Sequence, residues 1–581
     1  MTSSQPWLTV LILAGGSLQD KQLGPAPALS SNPADLADGS GLARARLHQH
    51  FQSIPGLRLR LLRDRNQPPL RPHRCDPQLP PLLIDGQASV IGSLRAALPL
   101  IDTPWLLLQP ITSLPMLQPE QRCSIELGDQ AMPRENWSGV ADPKSPTPLF
   151  RSRNQPPAHD ERPCHPFSGV ICAPTSLLRA LLPSEGTDLL VLAEQLWQSG
   201  EACFRFAPWR DLGHKATYSL SRLSRLSSRS FNDVHYDADN DLIRKCSSDQ
   251  QRLSHEHRYL TSLPPHLRRY FPALIGSELN GDSPSGVYLE LDYIPFPNLA
   301  ELFLHWRIGP NAWDLIAKRL AKIRSALLQD TPPEPTPAPA AVRWLYSQKL
   351  QQRLHELASC PPNSAAVLDG LSWATFWRQP LILQLRNRTG EPHGESIQLP
   401  SPERASNSLT KALHALEAKR TLQRIHGDLC FNNILAEPVS GSIRLIDPRG
   451  ETPAQSTWPV GFGDPRYDLV KLLHSSRYLY DVVCNGLFQL QSTTNRLELQ
   501  LDVPVQYAEV DRAFQQHLFT DQLTPEEERC LTASLFLSML PLHSSEPLHC
   551  VVFSCIGVLI LEDRFHCVLE AGGHLSSPKQ S

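Results

Sequence analysis

The sequence predicts an α/β domain followed by a larger α+β domain with two lobes. Up to about residue 222, short apolar strand-like runs alternate with helix-like segments, the pattern of a mainly parallel sheet with crossover helices. From about residue 230 a few strand-like segments come first, and after residue 298 nearly every long segment is helical. We therefore expect domains at 1–222 and 223–581, the second divided into lobes at about 223–297 and 298–581 with a cleft between them.

The composition of the chain argues against several classes of partner and location. The 581 residues carry 55 Lys and Arg against 58 Asp and Glu, a net charge of −3, which argues against nucleic acid or an anionic membrane as the main partner. The 13 cysteines form no CxxC pair, which is typical of reduced thiols in the cytosol. The most apolar stretch, 550–561, is too short to span a bilayer. We expect a cytoplasmic protein without membrane insertion.

Proline is abundant, with 55 residues clustered at 68–81, 133–166 and 332–339. Proline breaks helices and cannot donate to a strand ladder, so these clusters predict loops. The polar stretch 118–166 is interpreted as a long surface insertion in the first domain, and 332–339 as a loop within the second.

The first-domain elements follow in order. Residues 8–14 form a short apolar strand that ends at Gly15 and Gly16, and no basic residue precedes it, so we interpret it as a buried strand and not a secretion signal. Asp38 and Ser40 are capping candidates for a helix at 41–51. Residues 82–84 and 105–108 predict further strands, with a helix at 90–98 between them.

In the second domain, residues 230–245 and 286–293 predict strands, with a helix at 253–263 between them. Helices are expected afterwards at 299–303, 313–328, 342–357, 368–385, 408–424, 469–478 and 525–539. A strand-turn-strand at 433–447 interrupts this helical series.

Three polar residues lie in the sequence before, at the start of and at the end of that hairpin. Asp428 and Asn433 lie five residues apart in the segment HGDLCFNNIL, and Asp447 ends the following strand in IRLID. Phosphoryl transfer requires a carboxylate that orients the attacking hydroxyl and hard oxygen ligands that hold Mg²⁺ on the phosphates. The three residues therefore predict a site for Mg²⁺-dependent phosphoryl transfer.

These segments resemble the aminoglycoside phosphotransferase and choline kinase group, relatives of the protein kinases. The resemblance to its HGDxxxxN loop and following I-D strand implies that Asp428 is the catalytic base and that Asn433 and Asp447 are magnesium ligands. It also implies a structural role for His426 and for Asp468, which would brace the catalytic loop.

The resemblance extends upstream. It implies that Lys245, at the end of a strand, binds the ATP phosphates and that Glu256, on the next helix, holds the lysine in place. The segment 288–294 is similar to the hinge, whose backbone at Asp292, Tyr293 and Ile294 would hold adenine. The expected phosphate loop, 227–234, lacks glycine, so its contacts would come from Ser, Asn and backbone N–H groups.

Three further segments, CFNN at 430–433, DPRG at 447–450 and YDLVKL at 467–472, are similar to a bacterial subset of this group. Members of that subset occur in capsule and cell-surface polysaccharide gene sets. The resemblance covers the chain from about residue 227 onward and implies a role in surface-polysaccharide precursor metabolism.

The first domain resembles the sugar-nucleotide pyrophosphorylases. LILAGG at 11–16 is similar to their opening strand and glycine turn, in which Gly15 and Gly16 would approach nucleotide phosphates. WRDLG at 209–213 is similar to their terminal W-x-D-x-G, which implies Asp211 as a magnesium ligand. However, 17–27 holds no counterpart of their Arg and Pro-Lys, and Gln109 stands where a metal-binding Asp is expected. We expect a degenerate domain that keeps the fold.

The leading hypothesis is a phosphotransferase that moves the γ-phosphate of ATP, with Mg²⁺, to a hydroxyl of a small molecule such as a sugar, amino sugar or amino alcohol. One alternative is a bifunctional kinase and nucleotidyltransferase, which would release pyrophosphate from a nucleoside triphosphate and a sugar phosphate. The other is a non-catalytic nucleotide-binding regulator, which would bind the nucleotide without turnover. The acceptor itself and the oligomeric state are not specified by the sequence.

Overall fold

The computed structural model describes residues 5–15, 32–37, 41–114, 117–132, 138–152, 162–184, 188–208, 210–212, 232–237, 239–247, 250–279, 287–330, 332, 343–362, 368, 371–416, 422–449, 458–493, 496–520 and 522–574. The chain forms two compact units, Met1–Leu223 and Ser224–Ser581.

The first unit is built on a mixed sheet with the strand order β3-β2-β1-β4-β8-β5-β9. Strands β1 to β4 are mutually parallel, β5 and β9 are parallel to each other, and β8 runs antiparallel to both β4 and β5. Every residue of β1 is buried, as expected for a central parallel strand covered on both faces. The strands are β1 (Leu8–Leu13), β2 (Leu57–Asp64), β3 (Pro81–Ile84), β4 (Trp105–Pro110), β5 (Ser124–Gly128), β6 (Gly139–Ala141), β7 (Leu149–Arg151), β8 (His165–Pro174) and β9 (Cys203–Ala207).

Helices pack against this sheet, and the hydrophobic core of the unit lies between them and the strands. The helices are α1 (Ala43–Phe51), α2 (Val90–Ala97), α3 (Thr175–Leu181) and α4 (Leu189–Gln198), with short 3₁₀ turns at Pro33–Asp35, Asp76–Gln78 and Leu98–Leu100. Leu94 of α2 and Leu192 of α4 pack in one buried cluster with Leu108 and Ile171 of the sheet. The predicted α/β class is confirmed, and the antiparallel β8 makes the sheet mixed.

The second unit begins with an antiparallel sheet of order β10-β11-β13-β12, against which the helix α5 packs. The strands are β10 (Asn232–Asp237), β11 (Leu242–Ser247), β12 (Leu274–Glu278) and β13 (Tyr288–Asp292); the helices α5 (Gln250–Ser262) and α6 (Pro265–Arg268) lie between β11 and β12. On β11, Lys245 pairs with Leu289 of β13, so its position along the sheet is set by this ladder. A strand-rich start followed by a larger helical part confirms the predicted α+β class.

The larger part of the second unit is mostly helical. Its helices are α7 (Leu299–His305), α8 (Pro310–Gln329), α9 (Lys349–Ser359), α10 (Trp373–Arg378), α11 (Pro402–Ala415), α12 (Arg466–Ser476), α13 (Tyr480–Cys484), α14 (Tyr507–Phe514), α15 (Pro525–Ser538), α16 (Pro547–Leu561) and α17 (His566–Ala571), with π-helical turns at Arg343–Gln348 and Gln515–Phe519 and 3₁₀ turns at Phe431–Asn433 and Leu540–His543. Helix α16 is apolar on all sides because it is buried throughout, packed against α15. Within the described residues, no helix combines the length and apolarity needed to cross a bilayer.

The helix expected at 368–385 is present only as α10, and from Leu381 the chain joins a sheet of order β15-β14-β21-β20. The strands are β14 (Leu381–Arg386), β15 (Pro392–Leu399), β20 (Phe488–Thr493) and β21 (Arg496–Leu501). In β14, Leu381, Leu383 and Leu385 alternate with other side chains, and this period of two buries one face of a strand. The helix expected at 408–424 is also shorter, since α11 ends at Ala415.

Two short strand pairs complete the second unit. β17 (Ile434–Glu437) and β18 (Ser442–Leu445) form the predicted hairpin, and β16 (Gln423–Arg424) pairs with β19 (Phe462–Gly463). The loop from β16 to β17 carries the HGD segment and the residue Asn433. The chain that follows β18 carries Asp447, so the hairpin brings both parts of the motif to one place.

Candidate active site

The loop that carries Asp428 is held by a carboxylate from α12. Asp468 accepts hydrogen bonds from the backbone N–H groups of His426 (2.7 Å) and Gly427 (2.9 Å). Burial raises the pKa of Asp468 to about 6, although these two donors oppose the shift. Gly427 has φ +78°, and a Cβ there would lie 2.7 Å from the Cβ of Arg449. Only glycine fits this position without displacing Arg449.

Two cations hold the Asp428 carboxylate. Lys471 of α12 lies 2.9 Å from Oδ1, and Nη2 of Arg449 donates to Oδ2 at 3.1 Å. Burial opposes ionisation of Asp428, but Lys471 and Arg449 outweigh it and hold the pKa of this carboxyl well below its usual range. Asp428 is therefore an ionised, oriented acceptor of hydrogen bonds.

The two predicted magnesium ligands are Asn433 and Asp447. Asn433 is buried, and its Nδ2 donates to the backbone oxygen of Asp428 at 2.9 Å. Its Oδ1 is buried and has no hydrogen-bond partner among the described residues. Asp447 has a left-handed backbone, φ +57°, and its side chain is 19% exposed. A buried oxygen without a donor, together with a partly exposed aspartate side chain, fits a hard divalent cation.

Lys245 links Glu256 to Asp447. Its Nζ lies 2.6 Å from Oε2 of Glu256 and 2.5 Å from Oδ1 of Asp447. Burial alone would lower the pKa of Lys245, but the two carboxylates outweigh it and raise the pKa, so the ammonium is charged. Burial raises the pKa of Glu256 against the opposing charge of Lys245. The strand lysine and the helix glutamate are thus in direct contact beside Asp447, the carboxylate predicted to bind a metal.

The predicted hinge is anchored to the sheet. The N–H of Asp292 donates to the backbone oxygen of Ala273 at 3.1 Å, and its carboxylate accepts the N–H of Ala273. The N–H of Tyr293 donates to the backbone oxygen of Asp241 at 2.9 Å. Ile294 donates to no backbone oxygen among the described residues. Of the three residues predicted to contact adenine, Ile294 offers the backbone donor.

A small pocket lies beside the Lys245–Glu256 pair and Asp447. Its walls are Lys245, Arg252, His255, Glu256, Asp447, Pro448 and Arg449. Since Arg449 also touches Asp428, one continuous polar surface runs from the lysine and glutamate pair to the predicted base. Residues 227–231 of the predicted phosphate loop lie outside the described part of the chain.

Three cations at this site receive no role from the sequence. Arg449 and Lys471 contact Asp428 directly, and Arg252 lines the cavity from α5. Lys471 lies three residues after Asp468 and therefore shares its face of α12, which is the signal that could have revealed it. Arg252 lies four residues before Glu256 on α5, so the same kind of spacing marks it.

In the first unit, the predicted residues gather at the end of β4 without forming a charged site. Asp211 is buried and forms a β-bridge with Ser113. Gln109 is fully buried, and its Nε2 donates to the backbone oxygens of Ser113 (2.7 Å) and Pro110 (3.1 Å). Gly15 follows β1, while Gly16 lies outside the described residues. The amide at position 109 thus holds the turn at 110–113 in place, and Ser113 of this turn pairs with Asp211.

A second polar cluster in the first unit serves the buried Arg44. His73, Cys75 and Asp76 place potential ligand atoms within 4.8 Å of one another. However, Asp76 already accepts hydrogen bonds from Arg44 (3.1 Å) and from the N–H of His73 (2.8 Å), and burial raises the pKa of Cys75 to about 12. With Asp35 on the other side of Arg44 at 2.5 Å, the cluster is an anchor for a buried cation.

No protein-family model and no curated protein matches this sequence. Among solved structures, a UTP-bound UGPase from Acinetobacter baumannii is 11% identical, covers 37% of this chain and 92% of its own, and has a TM-score of 0.29. Aminoglycoside 2′-phosphotransferase-IIIa, in a GDP complex, is 13% identical over 58% of this chain and 90% of its own, with a TM-score of 0.31. Aminoglycoside-3′-phosphotransferase of type VIII is 14% identical over 55% of this chain and 99% of its own, with a TM-score of 0.29. The matches include both kinds of protein that the sequence resembles, but similarity at this level carries no information on activity.

Proposed function

We propose that the second unit is an ATP-dependent phosphotransferase that acts on a hydroxyl of a small molecule. The observation that carries this proposal is the run of contacts Glu256–Lys245–Asp447, which shares a cavity with Arg449 and through it reaches Asp428. Phosphoryl transfer depends mainly on positioning and electrostatic stabilisation, and this set supplies both.

Each residue has a distinct role in the proposed reaction. Lys245 binds the nucleotide phosphates, and Glu256 fixes its ammonium group. Asn433 and Asp447 would hold Mg²⁺, which neutralises charge on the phosphates when it is bound. The N–H of Ile294 would bind the adenine edge at the end of β13.

Asp428 orients the acceptor hydroxyl. Its carboxylate is ionised because Lys471 and Arg449 hold its pKa well below the usual range. Such a group is a weak base but a good hydrogen-bond acceptor. This suits a loose transition state, in which the attacking hydroxyl loses its proton late.

Three finer parts of the proposal rest on the sequence. The segments at 430–433, 447–450 and 467–472 support a role in surface-polysaccharide precursor metabolism. The 13 free cysteines support a cytoplasmic location. The first unit is proposed to be degenerate, because the amide of Gln109 cannot give a metal the charge of a carboxylate.

The test is an ATP-consumption assay with Mg²⁺ against sugars, amino sugars and amino alcohols, together with a binding titration of Mg-ATP. We expect Asp447→Asn to weaken Mg-ATP binding, and Asp428→Asn to retain binding but lose roughly 10²–10⁴-fold in turnover. Asp563→Asn is the matched control, since Asp563 shares the left-handed backbone of Asp447 but is exposed and pairs with Arg529.

Two results would contradict the proposal. One is a wild-type protein that does not bind Mg-ATP. The other is an Asp447→Asn variant that binds and consumes ATP as well as the wild type does. Binding without turnover across the whole panel would favour a nucleotide-binding regulator.

A further inference from the structure

Arg449 occupies a fixed position beside the predicted metal ligands. It lies two residues after Asp447, and its backbone N–H donates to the oxygen of His426 at 2.8 Å. Its Cβ lies against Gly427, at a distance that no side chain on residue 427 would permit. The backbone of Arg449 is thus tied to the loop that carries Asp428.

The guanidinium of Arg449 lies between the two groups that the proposed reaction uses. In that reaction the nucleotide phosphates would lie beside Lys245, and the acceptor hydroxyl would lie beside Asp428. Arg449 lines the pocket beside Lys245 and also donates to Asp428 at 3.1 Å. Its side chain is 28% exposed.

A planar guanidinium is suited to this position. It presents several N–H donors in one plane and binds phosphoryl oxygens through two parallel hydrogen bonds, which an ammonium group cannot do. In phosphoryl transfer, negative charge spreads over the three equatorial oxygens of the moving group. A cation between the metal-binding carboxylate and the base stabilises this charge.

Resting on the proposed function, we propose that Arg449 is a further catalytic residue that binds the transferring phosphoryl group, as an arginine finger supplied within the chain. The bond between the γ-phosphorus and its bridging oxygen breaks, with the electron pair leaving on ADP. A bond forms from the acceptor oxygen to phosphorus, and the acceptor proton passes to Asp428 and then to water. Arg449 remains protonated throughout, and its ion pair with Asp428 places it before substrate arrives.

The experiment uses the full chain and a transition-state analogue, so that no acceptor needs to be known. Binding of Mg-ADP is measured by calorimetry with and without aluminium fluoride, which mimics the planar phosphoryl group. ATP consumption is measured in parallel, including the slow transfer to water. The variants are Arg449→Gln and Arg449→Lys, and the control is Arg444→Gln, whose side chain donates to the backbone of the adjacent Ile443.

We expect Arg449→Gln to bind Mg-ADP like the wild type, to lose the fluoride-dependent gain in affinity, and to lose roughly 10³-fold in turnover, at the low end for an arginine finger. Arg449→Lys should lose less turnover and less fluoride-dependent affinity, because lysine keeps the positive charge but not the paired N–H donors of the guanidinium. Arg444→Gln should behave as the wild type.

Three results would overturn the inference alone while the proposed function stands. These are unchanged fluoride binding and turnover in Arg449→Gln, faster turnover in that variant, or an equal loss of plain Mg-ADP binding, which would indicate a ground-state role. A wild-type protein that neither binds Mg-ADP nor consumes ATP would remove the proposed function, and the inference with it.

Discussion

The two units each bring polar residues to the end of a strand, but they use them differently. In the first unit the amide of Gln109 donates to Ser113 and Pro110 and thereby closes a loop. In the second unit Asp447 contacts Lys245, and its side chain stays partly exposed. Both arrangements leave a buried amide oxygen without a donor in the described chain, Oε1 of Gln109 in the first unit and Oδ1 of Asn433 in the second. They differ because the second unit also holds an ion pair, between Lys245 and Asp447, at its strand end.

Buried ion pairs show the same contrast. Arg44 of the first unit is completely enclosed by Asp35, Asp76 and backbone oxygens, so its charge faces only protein. Lys245 of the second unit is equally buried, but it forms the wall of a cavity. Similar pairs can thus serve stability in one unit and chemistry in the other, and the position of the cavity separates the two roles.

Replacing these cations tests that distinction. We expect Lys245→Met to destabilise the second unit by about 3–5 kcal/mol, because Glu256 is left buried without a counter-charge. Since burial already raises the pKa of Glu256, the loss should be smaller at pH 5, where the carboxyl takes up a proton more readily. Turnover should disappear as well. Denaturant unfolding at pH 5 and pH 8 and the ATP assay measure these effects.

Arg44→Met is the matched control in the first unit. We expect it to lower the free energy of unfolding by a similar amount and to leave turnover unchanged. The double variant Lys245→Met/Glu256→Gln should regain stability but not activity. If Arg44→Met abolished turnover, or if the double variant restored it, the assignment of the two pairs to separate roles would be wrong.

Much of the candidate site could be predicted from sequence because its parts are local. Asp428 and Asn433 belong to one loop, and Asp447 follows the next hairpin, so short-range geometry brings them together. Lys245 and Glu256 are eleven residues apart, on a strand and the helix after it, and the structure places them 2.6 Å apart. The roles of these residues remain predictions.

The features that the sequence does not predict depend on contacts between segments that are far apart in the chain. Strands β14 and β21 pair in parallel across more than a hundred residues, and a single sequence does not show which strand will cover an apolar run such as 381–385. Lys471 and Arg449 reach Asp428 from different elements. The spacing from Asp468 could have marked Lys471, whereas the contact of Arg449 follows from how the segment after β18 packs against the loop of Asp428.

The second prediction concerns the amide that closes the first unit. We expect Gln109→Glu to destabilise that unit by about 3 kcal/mol, because an ionised carboxylate at a fully buried position cannot donate to the oxygens of Ser113 and Pro110. Hydrogen exchange of peptides from β4, followed by mass spectrometry, assigns the loss to this unit. Gln109→Leu separates the lost donors from the added charge.

The same variant can also contradict the contrast between the two units. If Gln109→Glu kept its stability and bound Mn²⁺, detected by its paramagnetic effect on water relaxation, the first unit would retain a latent metal site beside Asp211. Unchanged exchange in Gln109→Leu would show that the amide does not pin the loop.

The smallest expected effect distinguishes the two units by the sign of their pH dependence. Glu126 of β5 faces a cavity beside Gln109 and Arg205, and burial raises its pKa from 4.5 to about 7. The folded state then holds a proton that the unfolded state releases, so this group's contribution to stability is complete below about pH 4.5 and is lost as the pH rises through about 7. Asp428 has the opposite sign: its pKa is lowered, so its contribution is present at neutral pH and is lost in acid.

We therefore expect Glu126→Gln to stabilise the first unit by about 2 kcal/mol at pH 8 and to leave its stability unchanged at pH 4. The exposed Glu201 provides the control Glu201→Gln, which should change neither value. Denaturant unfolding at the two pH values, with hydrogen exchange of β5 peptides to identify the unit, measures the difference. A stabilisation that is the same at both pH values would mean that the gain comes from packing of the amide, and the contrast in sign between the two units would then be lost.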